Sequence, residues 1–231
     1  MSRVTLLLSA MVLAIISTVL PGASSTDLWR STRVTDPNQH ARTGENRYPY
    51  RATSAYVLRE LDLKAGDVVV DIGAGDGWWA QKMAECVGDT GIIYAAEIDD
   101  KEIAKMKQKF ADVPQIKPYL CKADSTDLPA NCCDLAFLSK TYHHLDSDCR
   151  VDYLRRLRDV VKTTGRLCVI EKYSTIATEQ ASHAIALSKL IEQAELAGWI
   201  PVRCELMTGT YHYLAIFVKK DLFGPEPSSL P

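Results

Sequence analysis

Short runs of apolar, often β-branched residues alternate along this chain with stretches whose apolar positions return every three to four residues. That is the pattern of strands alternating with helices. The runs predict strands over Val68 to Ile72, Gly91 to Glu97, Ile116 to Lys122, Asp134 to Leu138, Arg166 to Glu171, Ile200 to Met207 and Tyr211 to Lys219. Helices are predicted over Ala52 to Leu61, Trp78 to Val87, Lys101 to Phe110, Cys149 to Val161 and Ser188 to Ala197. Gly88 and Gly198 are placed to close two of these helices, and Asp99 or Asp100 to cap a third. The alternation implies an α/β fold with a seven-stranded, mostly parallel sheet and helices on both faces. The turn Thr208-Gly209-Thr210 is too short for a parallel crossover, so the last two strands form an antiparallel pair.

The N-terminus breaks this pattern. Ser2-Arg3 precedes an uncharged, mostly apolar run from Val4 to Leu20, and Pro21-Gly22-Ala23-Ser24-Ser25 follows. This has the form of a signal peptide over 1–24, or of a membrane anchor if it is not cleaved. Export or anchoring is therefore the expected location, and the cytoplasm if the segment is not a signal. Residues 25–47 are polar and turn-rich and read as an irregular arm, 48–220 as the folded domain, and 221–231, rich in Pro and Ser, as a loose tail.

Among 231 residues, 47% are hydrophobic and 24% charged, which is a globular composition, and the length can bury a sizeable core. A formal charge of -2 gives no electrostatic footprint for nucleic acid. The seven cysteines follow no zinc or redox spacing, so no metal site is expected. The sequence does not indicate an oligomeric state.

The chemistry gathers where strands end. After Val68-Val69-Val70 the chain reads Asp71-Ile72-Gly73-Ala74-Gly75-Asp76-Gly77, and Trp78 then opens a helix. Strand, glycine turn and helix form a nucleotide-sized site at the carboxyl end of a first strand. A dinucleotide fingerprint needs its third glycine one residue later, and Trp78 stands near the position where a small residue would be required. Glu97 ends the second strand and could accept both hydroxyls of a ribose. Asp124 and Ser125 follow the third, where a carboxylate and a backbone group could meet an adenine. Together they outline a site for adenosine.

The order Asp71-x-Gly73-x-Gly75-x-Gly77, Glu97, Ala123-Asp124-Ser125-x-x-Leu128-Pro129 and Asp134-Leu135 resembles the class I S-adenosylmethionine (SAM) dependent methyltransferases. Tyr142-His143-His144-Leu145 resembles their small-molecule branch, which includes quinone-biosynthesis and arsenite enzymes. The cysteines do not follow the arsenite enzymes' arrangement. The resemblance spans about Tyr50 to Lys219 and implies a Rossmann-like methyltransferase fold with SAM as cofactor and a small-molecule acceptor. It also implies Asp71, Gly73, Gly75, Gly77 and Ser139 around the methionyl part, Glu97 on the ribose, and Asp124 with Ser125 on the adenine. A partner nucleic acid is not expected, and a membrane only through an uncleaved leader. Two other readings stay open: an NAD-dependent oxidoreductase, and a non-catalytic member of the fold outside the cytosol.

Methyl transfer needs alignment above all, and a base near neutral pKa when the acceptor is a phenol, enol or thiol. His143, His144 and Tyr142, just past the fourth strand, are the candidates for catalysis. Glu171 at the end of the fifth strand is a further one, and His183 a possible substrate contact.

Overall fold

The computed structural model describes residues 49–174 and 184–224. The expected leader, the arm and His183 lie outside the described residues, as does 225–231 of the expected tail. Among those described, no helix is long and apolar enough to cross a membrane, and no cluster of His, Cys, Asp and Glu could hold a metal ion.

A 3-10 turn, Pro49–Thr53, leads into α1 (Ser54–Leu61). Then come β1 (Val68–Ile72), α2 (Trp78–Val87), β2 (Ile92–Glu97), α3 (Asp100–Lys109), β3 (Ile116–Leu120) and β4 (Cys133–Ser139). Past a 3-10 turn at Tyr142–His144 lie α4 (Arg150–Val160), β5 (Val161–Ser174), the two-residue β6 (Ile185–Ala186), α5 (Leu187–Leu196), β7 (Trp199–Met207) and β8 (His212–Lys219). The strand order is β3-β2-β1-β4-β5-β8-β7, with β6 paired to the end of β5. Strands β1 to β5 pair in parallel, while β8 is antiparallel to both β5 and β7.

The central strands are buried on both faces, and period-two alternation sends their side chains into two separate cores. Val69, Leu135, Phe137, Cys168 and Ile170 pack with residues of α1, α2 and α3. Val70, Ala136, Leu138, Leu167 and Val169 pack with residues of α4 and α5. The chain moves from β1 to β2 on one side and later returns to β4 on the other. A crevice therefore opens at the carboxyl ends of β1 and β4, where an open α/β sheet takes its ligand.

Two details differ from the sequence-based expectation, and a third selects between its alternatives. The strand expected over 166–171 runs from Val161 to Ser174, starting directly from α4, with a register shift between Cys133 and Leu135. Lys162 reaches across this irregularity to Asp134 at 2.8 Å, and Asp134 accepts the Val68 N–H at 2.9 Å, tying the feet of β1, β4 and β5 together. The beginning of the expected loose tail forms a 3-10 turn, Lys220–Phe223, with Asp221 paired to Arg158. Of the two candidate caps for α3, Asp99 does the work: its Oδ1 accepts the Lys101 N–H at 2.7 Å.

Candidate active site

The glycine loop is built from its buried acid outward. Asp71 lies on the face of β1 that meets α2, and its side chain is 2% exposed. Burial pushes its carboxyl up to about 7, with the negative charge of Glu97 adding to the rise. The backbone N–H of Ala80, in the first turn of α2, acts against this. One carboxyl oxygen, Oδ2, is buried without a hydrogen-bond partner. Glu97 projects from the end of β2 into the same loop: its Oε2 accepts the Gly75 N–H at 2.9 Å and its Oε1 accepts the Ile98 N–H at 2.7 Å. Gly73 and Ala74 donate to the Ala96 carbonyl at 2.9 and 3.0 Å, so the loop is pinned to the carboxyl end of β2.

The glycines do different work. Gly73 has φ +69, and a Cβ there would meet the Thr141 hydroxyl at 2.4 Å, so this glycine lets the loops after β1 and β4 cross. Gly75 has φ +55 and open space where a Cβ would stand. Gly77 is the N-cap of α2, covered by Phe110. Asp76 closes the loop from outside: its carboxylate accepts from Arg51 at 3.0 and 3.3 Å and from the Trp78 N–H at 3.1 Å. Arg51 also lies over the Trp78 ring at 4.7 Å.

The second wall comes from the ends of β4 and β5. Ser139 follows the Ile72–Leu138 pair, beside Gly73, and its Oγ is buried without a hydrogen-bond partner. Lys140 adopts φ +60, a left-handed conformation that costs a non-glycine residue about 1–3 kcal/mol. Its N–H donates to the Ile170 carbonyl at 2.8 Å, and its Nζ lies 3.5 Å from Glu171 Oε2. Glu171 is fully buried. Both its oxygens face His143 Nδ1, at 2.9 and 3.0 Å, and Oε1 also accepts the His143 backbone N–H at 3.2 Å. His144 is exposed, its ring 4.0 Å from that of His143. Arg150, itself buried, donates to the carbonyls of His143 and Leu145, fixing the turn from below.

Tyr142 is placed otherwise than a catalytic residue requires. Its side chain is wholly buried in the core between the sheet and α4, and its hydroxyl donates to Gln193 Oε1 on α5 at 2.9 Å. A hydroxyl so enclosed anchors the turn. Asp124 is exposed and paired with Arg156 at 2.8 Å, which holds its carboxyl below the usual carboxylate range. The guanidinium engages Oδ2 and the Asp124 backbone carbonyl, so a ligand using that carboxylate competes with it. The Ser125 hydroxyl donates to Asp127 Oδ1 at 3.0 Å and accepts the Asp127 N–H at 3.0 Å.

The residues around Asp71 suit the cofactor implied by the resemblance. A ligand ammonium would give the orphaned Asp71 Oδ2 a partner and relieve its unfavourable charge, and ribose hydroxyls could compete for Glu97. The open space at Gly75 admits such a group to the main chain, and the Ser139 Oγ offers a further hydrogen bond. Gly77, Asp124 and Ser125 show no comparable vacancy. Lys140, Thr141 and Arg51 were not reached from the sequence. A lysine in a left-handed turn, a threonine over a glycine and an arginine from a preceding turn leave no local pattern.

A family model for a methyltransferase domain matches residues 69–165. The ubiquinone/menaquinone biosynthesis C-methyltransferase UbiE of Burkholderia mallei (strain SAVP1) is 29% identical over 126 residues, covering 53% of this chain and 50% of that protein. The chain spans about half the length of the curated relatives it matches. Among solved structures, a SAM-dependent methyltransferase from Aquifex aeolicus superposes with TM-score 0.65 at 22% identity, covering 79% of this chain and 97% of that one. The [4+2]-cyclase SpnF superposes with TM-score 0.63 at 16% identity, covering 78% and 84%. These likenesses establish the shared fold, and the second shows that one fold hosts more than one chemistry.

Proposed function

We propose that the chain is a class I SAM-dependent methyltransferase and that it transfers the methyl group of SAM to a small-molecule acceptor. The observation that carries this reading is the buried Asp71, its Oδ2 unpartnered, beside Glu97 and the open backbone at Gly75. A cationic amino-acid moiety is the ligand that such a carboxylate pair calls for. The quinone-biosynthesis C-methyltransferases among its relatives support a small-molecule acceptor.

When bound, the cofactor supplies an electrophilic methyl on a sulfonium, a leaving group that needs no acid. The chain's own task is to bind, to orient and to exclude water. Asp71 and Glu97 bind, Gly75 lets the ligand approach the main chain, and the crossing of Thr141 over Gly73 fixes the wall bearing His143 against the wall bearing Asp71.

The oxidoreductase reading is weaker on electrostatic grounds. A dinucleotide places its pyrophosphate at the N-terminus of the helix after the first strand. Here that helix start already faces two carboxylates, with Asp76 accepting from Trp78 N–H and Asp71 beside Ala80 N–H, and both would repel a pyrophosphate. The N-terminal segment supports an exported or membrane-anchored location, which cell fractionation with and without residues 1–24 would test.

Calorimetric titration with SAM, S-adenosylhomocysteine and NAD in parallel is expected to show micromolar binding of the first two and none of NAD. Binding of NAD alone, or of no ligand, would sink the proposal. Glu97→Ala is expected to weaken SAM binding at least tenfold while the domain stays folded, as circular dichroism would check. Its carboxylate is partly exposed and, in the described hydrogen bonds, serves backbone groups of two loops, not the core.

A further inference from the structure

We infer that the outer edge of β7 is a self-association surface. A second copy of this chain adds its own β7 there, antiparallel, about a two-fold axis at Cys204.

Strand β7 ends the strand order, so among the described residues no strand covers its outer edge. The sheet's other end strand, β3, has Pro118 at its centre, a residue that cannot donate to a further strand. In β7 the proline, Pro201, stands ahead of residues 202–206, and each of those five is exposed. The register against β8 sorts the five onto two faces. Arg203 and Glu205 lie opposite Ile216 and Leu214, which belong to the core shared with α1. Cys204 and Leu206 lie opposite Ala215 and Tyr213, which belong to the core shared with α5. Val202 is the extra residue at the register shift between Pro201 and Arg203, and alternation from Arg203 puts it on the α5 side. One face of the edge therefore carries a cation and an anion. The other carries Val202, Cys204 and Leu206, with Val202 52% and Leu206 51% exposed.

This arrangement is complementary to itself. Arg203 and Glu205 stand one residue either side of Cys204, and Val202 and Leu206 two residues either side. A two-fold axis at Cys204 sets Arg203 against Glu205 of the partner subunit, Val202 against Leu206 of the partner subunit, and the two Cys204 thiols against each other. Every pair then stays on one face, as direct cross-strand pairs do, and each matches charge with opposite charge or apolar with apolar. An axis at Arg203 or at Glu205 would set like charges opposite each other, so the pattern selects one register. Edge strands are commonly guarded by charges that repel a second strand. Here the charges are opposite in sign and equally far from Cys204, so a second copy is matched. Both are held in place from α1: Arg203 pairs with Glu60, and the Glu205 carboxylate accepts the Tyr56 hydroxyl at 2.6 Å. Arg59 pairs with Glu60 in turn. Each copy thus brings two cations, Arg59 and Arg203, and two anions, Glu60 and Glu205, to the junction, with no net charge to oppose it. The register shift at Val202 marks where the paired stretch ends.

Sedimentation velocity on the full chain with a reductant present, at tens of micromolar, is expected to show a species of twice the chain's mass. Two variants examine the register. Arg203→Glu sets carboxylates opposite carboxylates, and Glu205→Arg sets guanidiniums opposite guanidiniums. Each alone is expected to lower dimer affinity at least tenfold with the wild-type circular dichroism spectrum kept. An equimolar mixture of the two is expected to recover it, because the mixed pair sets carboxylates against guanidiniums, and a folding defect would not be cured by mixing. The wild-type chain supplies a test that needs no substitution to fold. Direct antiparallel partners have Cα atoms about 4.5–5.5 Å apart, within the span of a disulfide. Diamide should therefore join two copies: two Cys204 thiols lose two protons and two electrons, one S–S bond forms, and the diazene is reduced to the hydrazine. Cys149 is also exposed and serves as the control. The covalent dimer is expected to persist in Cys149→Ser and to vanish in Cys204→Ser, whose non-covalent dimer should remain. A monomer at tens of micromolar, a dimer indifferent to both charge variants, no recovery on mixing, or a cross-link through Cys149 alone overturns the inference.

Discussion

Alanine at Gly77 is expected to cost this protein a large share of its stability, while alanine two residues earlier, at Gly75, costs it its ligand. Both glycines have positive φ, +69 and +55, so each substitution pays the left-handed penalty of roughly 1–2 kcal/mol. They differ in what the new methyl meets. At Gly77 it would lie 2.4 Å from the Phe110 ring and 3.1 Å from the Met106 sulfur, both buried where α3 packs on α2. Neither residue can withdraw without opening the core, and overpacking adds about 1–3 kcal/mol. The expected total is about 3 kcal/mol, a large share of the stability of a domain this size. At Gly75 nothing lies within 4 Å, so the expected loss is only the backbone strain. The methyl instead stands where the ligand approaches, and SAM affinity should fall at least tenfold. Urea denaturation of both variants and calorimetry on Gly75→Ala check this. Equal destabilisation of the two, or undiminished SAM binding in Gly75→Ala, would show that the loop has been misread.

Asp71→Asn is expected to move stability and affinity in opposite directions. Folding raises the Asp71 carboxyl to about 7 from an unfolded value near 3.8, so the folded chain binds this proton more tightly. The contribution to stability is fully present below about pH 4 and is lost as pH rises through 7. Each unit of such a shift corresponds to about 1.4 kcal/mol, so the loss is on the order of a few kcal/mol. Other carboxylates titrate in the same range, and the difference between wild type and Asp71→Asn isolates this one. The asparagine variant should gain on the wild type as pH rises from 4 to 7, and the advantage should level off above 8. The charge that destabilises the empty fold is what attracts an ammonium, so the variant should bind SAM at least 100-fold more weakly. In the wild type, binding at pH 6 should release close to one proton, and towards pH 8 this should give way to uptake, because Asp71 is then already ionised while the ligand's own amino group, titrating at about 8, gains a proton on binding. Calorimetry in buffers of different ionisation heat reads this directly. Proton uptake at pH 6, or release that is independent of pH, would remove Asp71 from the ligand.

The sequence alone determined the layers and the place of the site. Alternating β-branched runs and amphipathic helices require a sheet covered on both faces, and a glycine-rich turn after the first buried strand requires a backbone that only the carboxyl edge of such a sheet offers. That Asp71, Gly73, Gly75, Glu97 and Ser139 come together at neighbouring strand ends was legible because their spacing is a property of the chain. What each residue does there was decided by tertiary structure. Gly77 reads as a ligand glycine in sequence but lies under Phe110, 33 positions away. Tyr142 and His143 are neighbours in a polar turn. Packing sent the tyrosine to Gln193 in the core and the histidine to Glu171, 28 residues further along the chain. The physical reason is common to all of these. Spacing fixes which strand end a residue reaches, whereas its partner, its burial and its charge state depend on side chains that only the folded sheet brings within hydrogen-bond distance.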